Sequence, residues 1–228
     1  RDSAGLFTPG KVIYSGLPMR SDLFVNRTHK IIFNNKRPVI YVTGGNQGSN
    51  TINWRLFKIL PKLLKQANVI HQVGDSTLTK DIGKAKETKD QLPEDIKDNY
   101  HYFANTYSMI GEIYSKSNII LSRAGANTVY EIMSLGKLAV LIPIPWSSAQ
   151  EQLRNAKLVA KTGLGFILEQ YDEMPPEEMY QALLNALTVY QNKSDFLGRP
   201  LEKARESART QVKFNAFQII LENITDLV

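Results

Sequence analysis

Three short polar loops in this chain of 228 residues combine small residues with groups that could bind a phosphorylated ligand. The first loop, residues 44–49 (GGNQGS), follows a run of apolar residues. Its glycines let the backbone turn tightly and approach a ligand, and a following helix would present free N–H groups and a positive dipole end. The loop favours a phosphate site, although a simple turn between a strand and a helix would use the same residues.

The second loop, residues 122–127 (SRAGAN), again places small residues before a predicted helix, which carries Glu131. Thr128 and Glu131 have the spacing of a capping box, in which the carboxylate closes onto the backbone of its own helix. The local pattern favours this role. A carboxylate can also accept two vicinal hydroxyls, such as those of a ribose. Arg123 is open between an anion ligand and a partner in an internal salt bridge.

The third loop, residues 143–150, leads into a predicted helix with Gln152 and Asn155 on one face. Their amides can donate and accept together, as the neighbouring hydroxyls of a sugar require. Taken alone, the two residues fit an exposed polar surface equally simply. Ser148 and Glu151 form a second possible capping box.

The elements that position these loops follow from the alternation of apolar runs and helical patterns. Strands are predicted at 11–15, 39–43, 69–73, 100–103, 118–122, 138–142 and 165–168. Helices are predicted at 52–66, 109–114, 128–135, 149–162, 176–190 and 201–221, and a polar helix or loop at 77–91. The alternation predicts an α/β fold, a Rossmann-like doubly wound parallel sheet. Ligands of such sheets bind beyond the carboxyl ends of the strands.

Two of these helices carry apolar stripes that we expect to face the core. In the first helix the stripe consists of Trp54, Phe57, Leu60 and Leu64, with Asn50 or Thr51 as the cap. In the last helix it consists of Phe214, Phe217, Ile220, Leu221 and Ile224.

The composition excludes several classes of protein. The chain has no cysteine, which excludes a disulfide scaffold, a cysteine-ligated metal centre and a cysteine nucleophile. The formal net charge of +6 suits an anionic substrate, a membrane surface or nucleic acid. No nucleic-acid partner is expected, because the sequence has no basic stripe with interleaved aromatic residues. No apolar run approaches the roughly 20 residues of a membrane span.

Five short motifs occur in one order: residues 16–20 (GLPMR), 44–48 (GGNQG), 122–131 (SRAGANTVYE), Gly136 before a strand that ends in proline, and 152–156 (QLRNA). Together they resemble the C-terminal domain of the MurG family, the C-terminal half of a GT-B glycosyltransferase. That family transfers N-acetylglucosamine from UDP-GlcNAc to lipid I, a lipid-linked muramyl-peptide, and so makes lipid II for peptidoglycan. The resemblance covers about residues 16–185.

The resemblance implies that the chain binds UDP-GlcNAc without a metal or cofactor. The residues it implies for substrate binding are Arg20, Gly45, Asn46, Gln47 and Gly48 for the diphosphate, Ala124, Gly125 and Ala126 for the diphosphate and sugar, Glu131 for the ribose, Gln152 and Asn155 for the sugar, and Tyr107 near the uracil. No catalytic residue is implied within this chain. The family's N-terminal domain supplies the general base and the contacts to acceptor and membrane.

The same resemblance implies a division of the chain. Residues 1–20 are expected to be a remnant of an interdomain strand or linker, 21–200 the UDP-sugar-binding domain, and 201–228 a helix that returns to the N-terminal domain. The expected location is cytoplasmic, peripheral at the inner face of the plasma membrane, and this half alone is expected to be inactive. The alternatives are the donor half of another GT-B transferase, for a glycolipid or dolichol-linked GlcNAc, and a non-catalytic module that binds a nucleotide sugar or a partner.

Overall fold

The computed structural model describes residues 8, 11–25 and 30–225. They form a six-stranded parallel sheet with flanking helices, which confirms the predicted α/β class. The strands are β1 (Val39–Thr43), β2 (Asn68–Gln72), β3 (Tyr100–Phe103), β4 (Ile119–Ser122), β5 (Leu138–Leu141) and β6 (Gly165–Ile167). The helices are α1 (Asn50–Leu63), α2 (Asp81–Asp90), α3 (Glu94–Lys97), α4 (Ile110–Lys116), α5 (Ala126–Leu135), α6 (Glu151–Thr162), α7 (Pro176–Gln191), α8 (Leu201–Arg209) and α9 (Ala216–Thr225).

The strand order, β3-β2-β1-β4-β5-β6, reverses direction between β1 and β4. Tyr41 in the middle of β1 pairs with Ile70 on one side and with Ile120 on the other. At such a reversal the connections leave toward opposite faces of the sheet and open a crevice at the carboxyl ends of the strands. The loops after β1 and β4, which carry the first two polar motifs, flank this crevice.

The central strands β1, β4 and β5 consist largely of apolar residues, so both of their faces can be buried. Every residue of β1, β2, β4 and β5 is buried, as expected for parallel strands covered by helices. In β1 and β4 the polar groups are the phenol of Tyr41 and the side chains of Thr43 and Ser122, and the last two stand at the carboxyl ends of their strands. The sheet therefore directs its polar groups toward the crevice.

Residues 11–15 form no strand, so the strand predicted there is wrong. An apolar, β-prone run becomes a strand only when a neighbouring strand accepts its hydrogen bonds, and the described residues offer none there. Residues 1–7, 9 and 10 of the expected linker lie outside the described residues, as do 26–29 and 226–228.

The single helix predicted at 201–221 is also wrong, since α8 and α9 are separated by residues 210–215. Leu201, Ala204 and Ala208 are buried where α8 packs against α5 and α6. In the break, the backbone N–H of Lys213 donates to the hydroxyl of Tyr130 at 2.6 Å. A tertiary contact thus replaces the helical hydrogen bonds at this point.

The last apolar stripe does not face the core as predicted. Phe217 is 68% exposed and Leu221 45% exposed, and Ala216 is the buried residue of α9 within its described span. Helical periodicity indicates an amphipathic helix but does not say what covers its apolar face.

The core face of α1 agrees with the predicted stripe only in part, since Leu60 and Leu64 are buried as predicted. Ile52, Leu56 and Ile59 are buried, whereas Trp54 is 45% exposed with the guanidinium of Arg55 over its ring. The helix begins at Asn50 with Ser49 as the N-cap, so the predicted caps are one and two residues late. None of the described helices is long and apolar enough to cross a membrane.

Candidate functional site

A cavity of about 420 Å³ lies at the carboxyl ends of the strands around the reversal point. Its lining residues come from the segment before β1, from β1 and β2, from the loops after β1, β3 and β4, and from α4 and α5. The lining residues are Arg20, Tyr41, Thr43, Gly45, Asn46, Gln72, Thr106, Tyr107, Ile110, Tyr114, Gly125, Ala126, Asn127, Thr128 and Glu131. Seven of the residues proposed from the sequence therefore meet in one cavity: Arg20, Gly45, Asn46, Tyr107, Gly125, Ala126 and Glu131.

The glycine loop after β1 is held from below by hydrogen bonds. The N–H of Gly45 donates to Oγ1 of Thr43 at 3.0 Å, and the carbonyl of Gly45 accepts from Nε2 of Gln72 at 3.3 Å. Gly48 has a φ of +77°, and a Cβ placed there would lie 2.0 Å from the carbonyl oxygen of Val73. Glycine is thus required where the loop packs against the segment after β2. Gly48 and its neighbour Gln47 are outside the cavity lining.

The amino-terminal end of α5 opens into the cavity. The helix begins at Ala126 with Gly125 as the N-cap, and no side chain caps it. The first amides of a helix have no acceptor within the helix, and such an end binds anions well. The predicted capping box is wrong, because Thr128 is already the third residue of the helix.

Glu131 instead faces Tyr114 on the wall of the cavity. The Tyr114 hydroxyl donates to Oε2 of Glu131 at 2.7 Å. Burial raises the pKa of Glu131, while the hydrogen bond from Tyr114 and the charge of Arg20 lower it. A carboxylate in this position can accept hydroxyls of a ligand.

Arg20 reaches the cavity from the 3-10 turn Ser21–Phe24. Its Nε donates to Oδ1 of Asp22 at 2.6 Å, and NH2 donates to the carbonyl of Tyr107 at 2.7 Å. The hydrogen bond to Asp22 raises the pKa of Arg20, which keeps the guanidinium charged. The cavity thus has a positive charge at one wall and a carboxylate, Glu131, at another.

The floor of the cavity is a polar cluster that was not identified from the sequence. Hydroxyls of Tyr41, Thr106 and Thr43 donate to Oε1 of Gln72 at 2.6, 3.0 and 3.3 Å. Burial raises the pKa of Tyr41 to about 12, so its phenol stays protonated. The signal for this cluster in the sequence is that Thr43 and Gln72 are polar residues at the carboxyl ends of β1 and β2. Tyr114, which holds Glu131, was missed as well.

The remaining proposed residues make hydrogen bonds within and between the loops around the cavity. Ala124 is fully buried, and its carbonyl accepts from Nδ2 of Asn155 at 3.1 Å. Oε1 of Gln152 accepts from the N–H of Ile144 at 3.1 Å. Asn155 also lines a second cavity, of about 520 Å³, which α5, α6 and α8 border. The second capping box is wrong, because α6 begins only at Glu151.

Arg123 takes neither of the two roles that the sequence left open. The side chain is buried, with NH1 donating to the carbonyl of Ile142 at 3.1 Å and NH2 to Oγ of Ser49 at 2.9 Å. It does not line the cavity, and it makes no ion pair within the described residues.

Comparison with protein families matches residues 39–214 to the glycosyltransferase family 28 C-terminal domain. A UDP-N-acetylglucosamine--N-acetylmuramyl-(pentapeptide) pyrophosphoryl-undecaprenol N-acetylglucosamine transferase of Clostridium tetani is 26% identical over 223 residues, which cover 96% of this chain and 54% of that protein. A transferase of the same description from Bacillus cereus is 29% identical over 167 residues, covering 71% of this chain and 44% of the relative.

Solved structures show the same relationship. MurG of Acinetobacter baumannii matches with a TM-score of 0.64 and 28% identity, over 85% of this chain and 51% of that one. A glycosyltransferase of Rickettsia africae shares the fold, with a TM-score of 0.59 and 18% identity, over 83% of this chain and 47% of that one. The chain spans about half the length of the curated relatives it matches.

Proposed function

We infer the function of this chain from one premise: it belongs to the glycosyltransferase family 28 C-terminal domain family. Its fold is that of one half of a GT-B glycosyltransferase. We propose that it binds UDP-GlcNAc as the donor half of a MurG-like inverting transferase that makes lipid II from lipid I. The observation that carries the proposal is the cavity where Arg20, the open end of α5 and Glu131 meet.

The cavity offers a complementary group for each part of a uridine diphosphate. The amides of Ala126 to Thr128, the glycine loop and Arg20 would neutralise the diphosphate. Glu131, held by Tyr114, would accept the ribose hydroxyls. The uracil would lie near Tyr107, whose carbonyl is fixed by Arg20.

The sugar would lie toward the third loop. Gln152 and Asn155 are the proposed ligands for its hydroxyls, although their amides bond to Ile144 and Ala124 here. Each amide keeps further donor or acceptor capacity for a hydroxyl: Gln152 its NH₂ group, Asn155 its carbonyl oxygen.

The chemistry assigned to this half is stabilisation of the leaving group. As the acceptor hydroxyl attacks the anomeric carbon with inversion, the bond to the diphosphate oxygen breaks and negative charge grows on UDP. Amides and a guanidinium that are already oriented stabilise this charge without reorganising. The acceptor site and the general base would come from an acceptor-binding half.

The partner proposed for this chain is therefore that acceptor half, which would hold the lipid-linked acceptor at the cytoplasmic face of the plasma membrane. Apolar side chains at residues 12–14 and on α9 are exposed. Nζ of Lys213, in the segment between α8 and α9, donates to the carbonyl of Tyr14 at 2.6 Å. This surface would suit a second domain. On its own, the donor half is expected to bind UDP-sugar with little or no turnover.

Calorimetric titration with UDP-GlcNAc, UDP and NAD tests the proposal. The expected result is binding of both uridine ligands and much weaker binding of NAD. No binding of UDP at millimolar concentration, or tighter binding of NAD, would contradict it. UDP-glucose as a competitor distinguishes a GlcNAc transferase from the donor half of a glycolipid glucosyltransferase.

The exposed apolar side chains also support one alternative, a non-catalytic module that docks a partner. Phe214 is 58% and Ile224 54% exposed on the same part of the chain. Such a module could retain the fold without nucleotide affinity. The calorimetric titration separates the two functions, since a partner-binding relic would not bind UDP.

A further inference from the structure

Arg123 follows β4 directly and connects three segments at the carboxyl edge of the sheet. Its NH1 donates to the carbonyl of Ile142, which follows β5, and its NH2 donates to Oγ of Ser49. Ser49 closes the glycine loop that follows β1. One buried guanidinium therefore ties the two loops that flank the crevice to each other and to the loop of the next strand.

The burial of Arg123 is unfavourable for the stability of the fold. Nε of Arg123 and Oγ of Ser122 are buried without a hydrogen-bond partner. Burial and the like charge of Arg55 lower the pKa of Arg123 to about 10. In the described part of the chain no carboxylate lies within ion-pair distance to compensate. Since an unpaired buried cation is unfavourable, stability alone does not account for an arginine here.

Ser49 also gives up its usual role for this contact. It is the N-cap of α1, where a serine hydroxyl commonly accepts from an amide of the first helical turn. No such bond forms, and the hydroxyl accepts from Arg123 instead. The glycine loop is consequently anchored to the β4 side of the crevice rather than to its own helix.

We propose that Arg123 is a positioning residue for the diphosphate of the donor, acting through Ser49 to hold the glycine loop opposite the amino-terminal end of α5. This inference rests on the proposed function. Gly45 and Asn46 on one side of the cavity and Ala126 on the other would contact the same diphosphate, so their separation sets the strength of binding. Tyr107 and Glu131, the proposed base and ribose sites, bond to Arg20 and Tyr114 rather than to Arg123 or Ser49.

The test compares UDP with uridine, which lacks the diphosphate, on the same protein. In Arg123→Met, UDP affinity is expected to fall about tenfold, as for loss of a charge-assisted hydrogen bond. Uridine affinity is expected to change by less than about twofold, because substitutions far from a binding site usually have small effects on it. Ser49→Ala breaks the same contact from the other side, and the double variant should lose no more than Arg123→Met alone.

Arg55→Met is the matched control. Arg55 is a second buried arginine nearby, but it donates to the carbonyls of Met174 and Thr51 rather than to the loops of the crevice. It should lower the unfolding temperature without changing the ratio of UDP to uridine affinity. If Arg123→Met does not fold, Ser49→Ala carries the comparison.

The outcomes separate the inference from the function on which it rests. Equal loss of UDP and uridine affinity, or no change in either, in the variants that break the contact would overturn the positioning role. Additive losses in the double variant would also overturn it, because the two residues would then act independently. A wild-type chain that binds neither ligand would instead remove the proposed function, and the inference with it.

Discussion

The hydroxyl of Tyr114 donates to Oε2 of Glu131 at 2.7 Å across the wall of the cavity. Tyr114 belongs to α4 and Glu131 to α5, so the contact joins helices that precede and follow β4. It orients a half-buried carboxylate toward the space where we place the ribose.

Glu131→Gln should weaken UDP binding by about tenfold, because an amide accepts hydroxyl hydrogen bonds less strongly than a carboxylate does. The loss should depend on the ribose, so calorimetry should show a smaller change for 2′-deoxy-UDP. Equal losses for both nucleotides would show that Glu131 does not contact the 2′-hydroxyl.

The same variant should be more stable than the wild type at pH 7. Burial raises the pKa of Glu131 above its ordinary 4.5, so the ionised form is disfavoured in the folded state. Protonated Glu131 therefore stabilises the folded state at low pH, and this stabilisation is lost as the pH rises through the pKa of the folded state. Urea unfolding should therefore show an advantage for Glu131→Gln at pH 7 that shrinks near pH 4. A destabilised variant with unchanged UDP affinity would instead indicate a structural role.

Tyr114→Phe should lower UDP affinity by a few-fold, since the carboxylate loses the hydrogen bond that orients it. Removing this donor should also raise the pKa of Glu131 further, because the bond lowers it in the wild type. Tyr41→Phe is the matched control, as the Tyr41 hydroxyl donates to Gln72 rather than to Glu131. Discrimination between UDP and 2′-deoxy-UDP should fall in Tyr114→Phe and persist in Tyr41→Phe.

His71 should make the protein sensitive to acid. It is fully buried between the Tyr100 hydroxyl and Oδ1 of Asn53, and burial lowers its pKa from 6.5 to about 3. Between pH 6.5 and 3, His71 binds a proton in the unfolded chain but not in the folded one. The free energy of unfolding therefore falls as the pH decreases from 6.5 toward 3. In His71→Gln the slope should be shallower by about 1.4 kcal/mol per pH unit. Identical slopes in urea titrations from pH 7 to 4 would contradict this assignment.

The sequence was sufficient to predict most of the sheet and where its ligand should lie. Runs such as those of β1 and β4 are apolar except at a few positions, which is typical of a parallel strand covered by helices on both faces. Glycine-rich and small-residue loops after these strands then pointed to the crevice. The five strands predicted from residue 69 onward have counterparts within one residue at each end.

What could not be predicted depends on contacts between distant residues. The sequence around Glu131 predicts that its carboxylate caps a helix. Only the start of α5 at Ala126 and the hydrogen bond from Tyr114 show that it does not. The Gln72 cluster assembles side chains from β1, β2 and the loop after β3, which no local pattern connects. The exposed face of α9 has the same periodicity as a buried one.

The packing of the glycine loop gives a further test with an internal control. Gly48→Ala would place a Cβ 2.0 Å from the Val73 carbonyl at a φ of +77°. It should destabilise the protein by more than about 2 kcal/mol and weaken UDP binding. At Gly83 in α2 nothing lies within 4 Å of the added Cβ. Gly83→Ala should therefore stabilise the protein by up to about 1 kcal/mol in chemical denaturation and leave UDP affinity unchanged.

The location of the nucleotide is tested most directly by mapping amide chemical-shift changes while the isotope-labelled chain is titrated with UDP. We predict the largest changes at Gly45, Asn46, Tyr107, Gly125 and Glu131, which line the cavity at the reversal point of the sheet. Changes confined to Leu158, Thr162 and Gln211, which line the cavity bordered by α5, α6 and α8, would contradict the account.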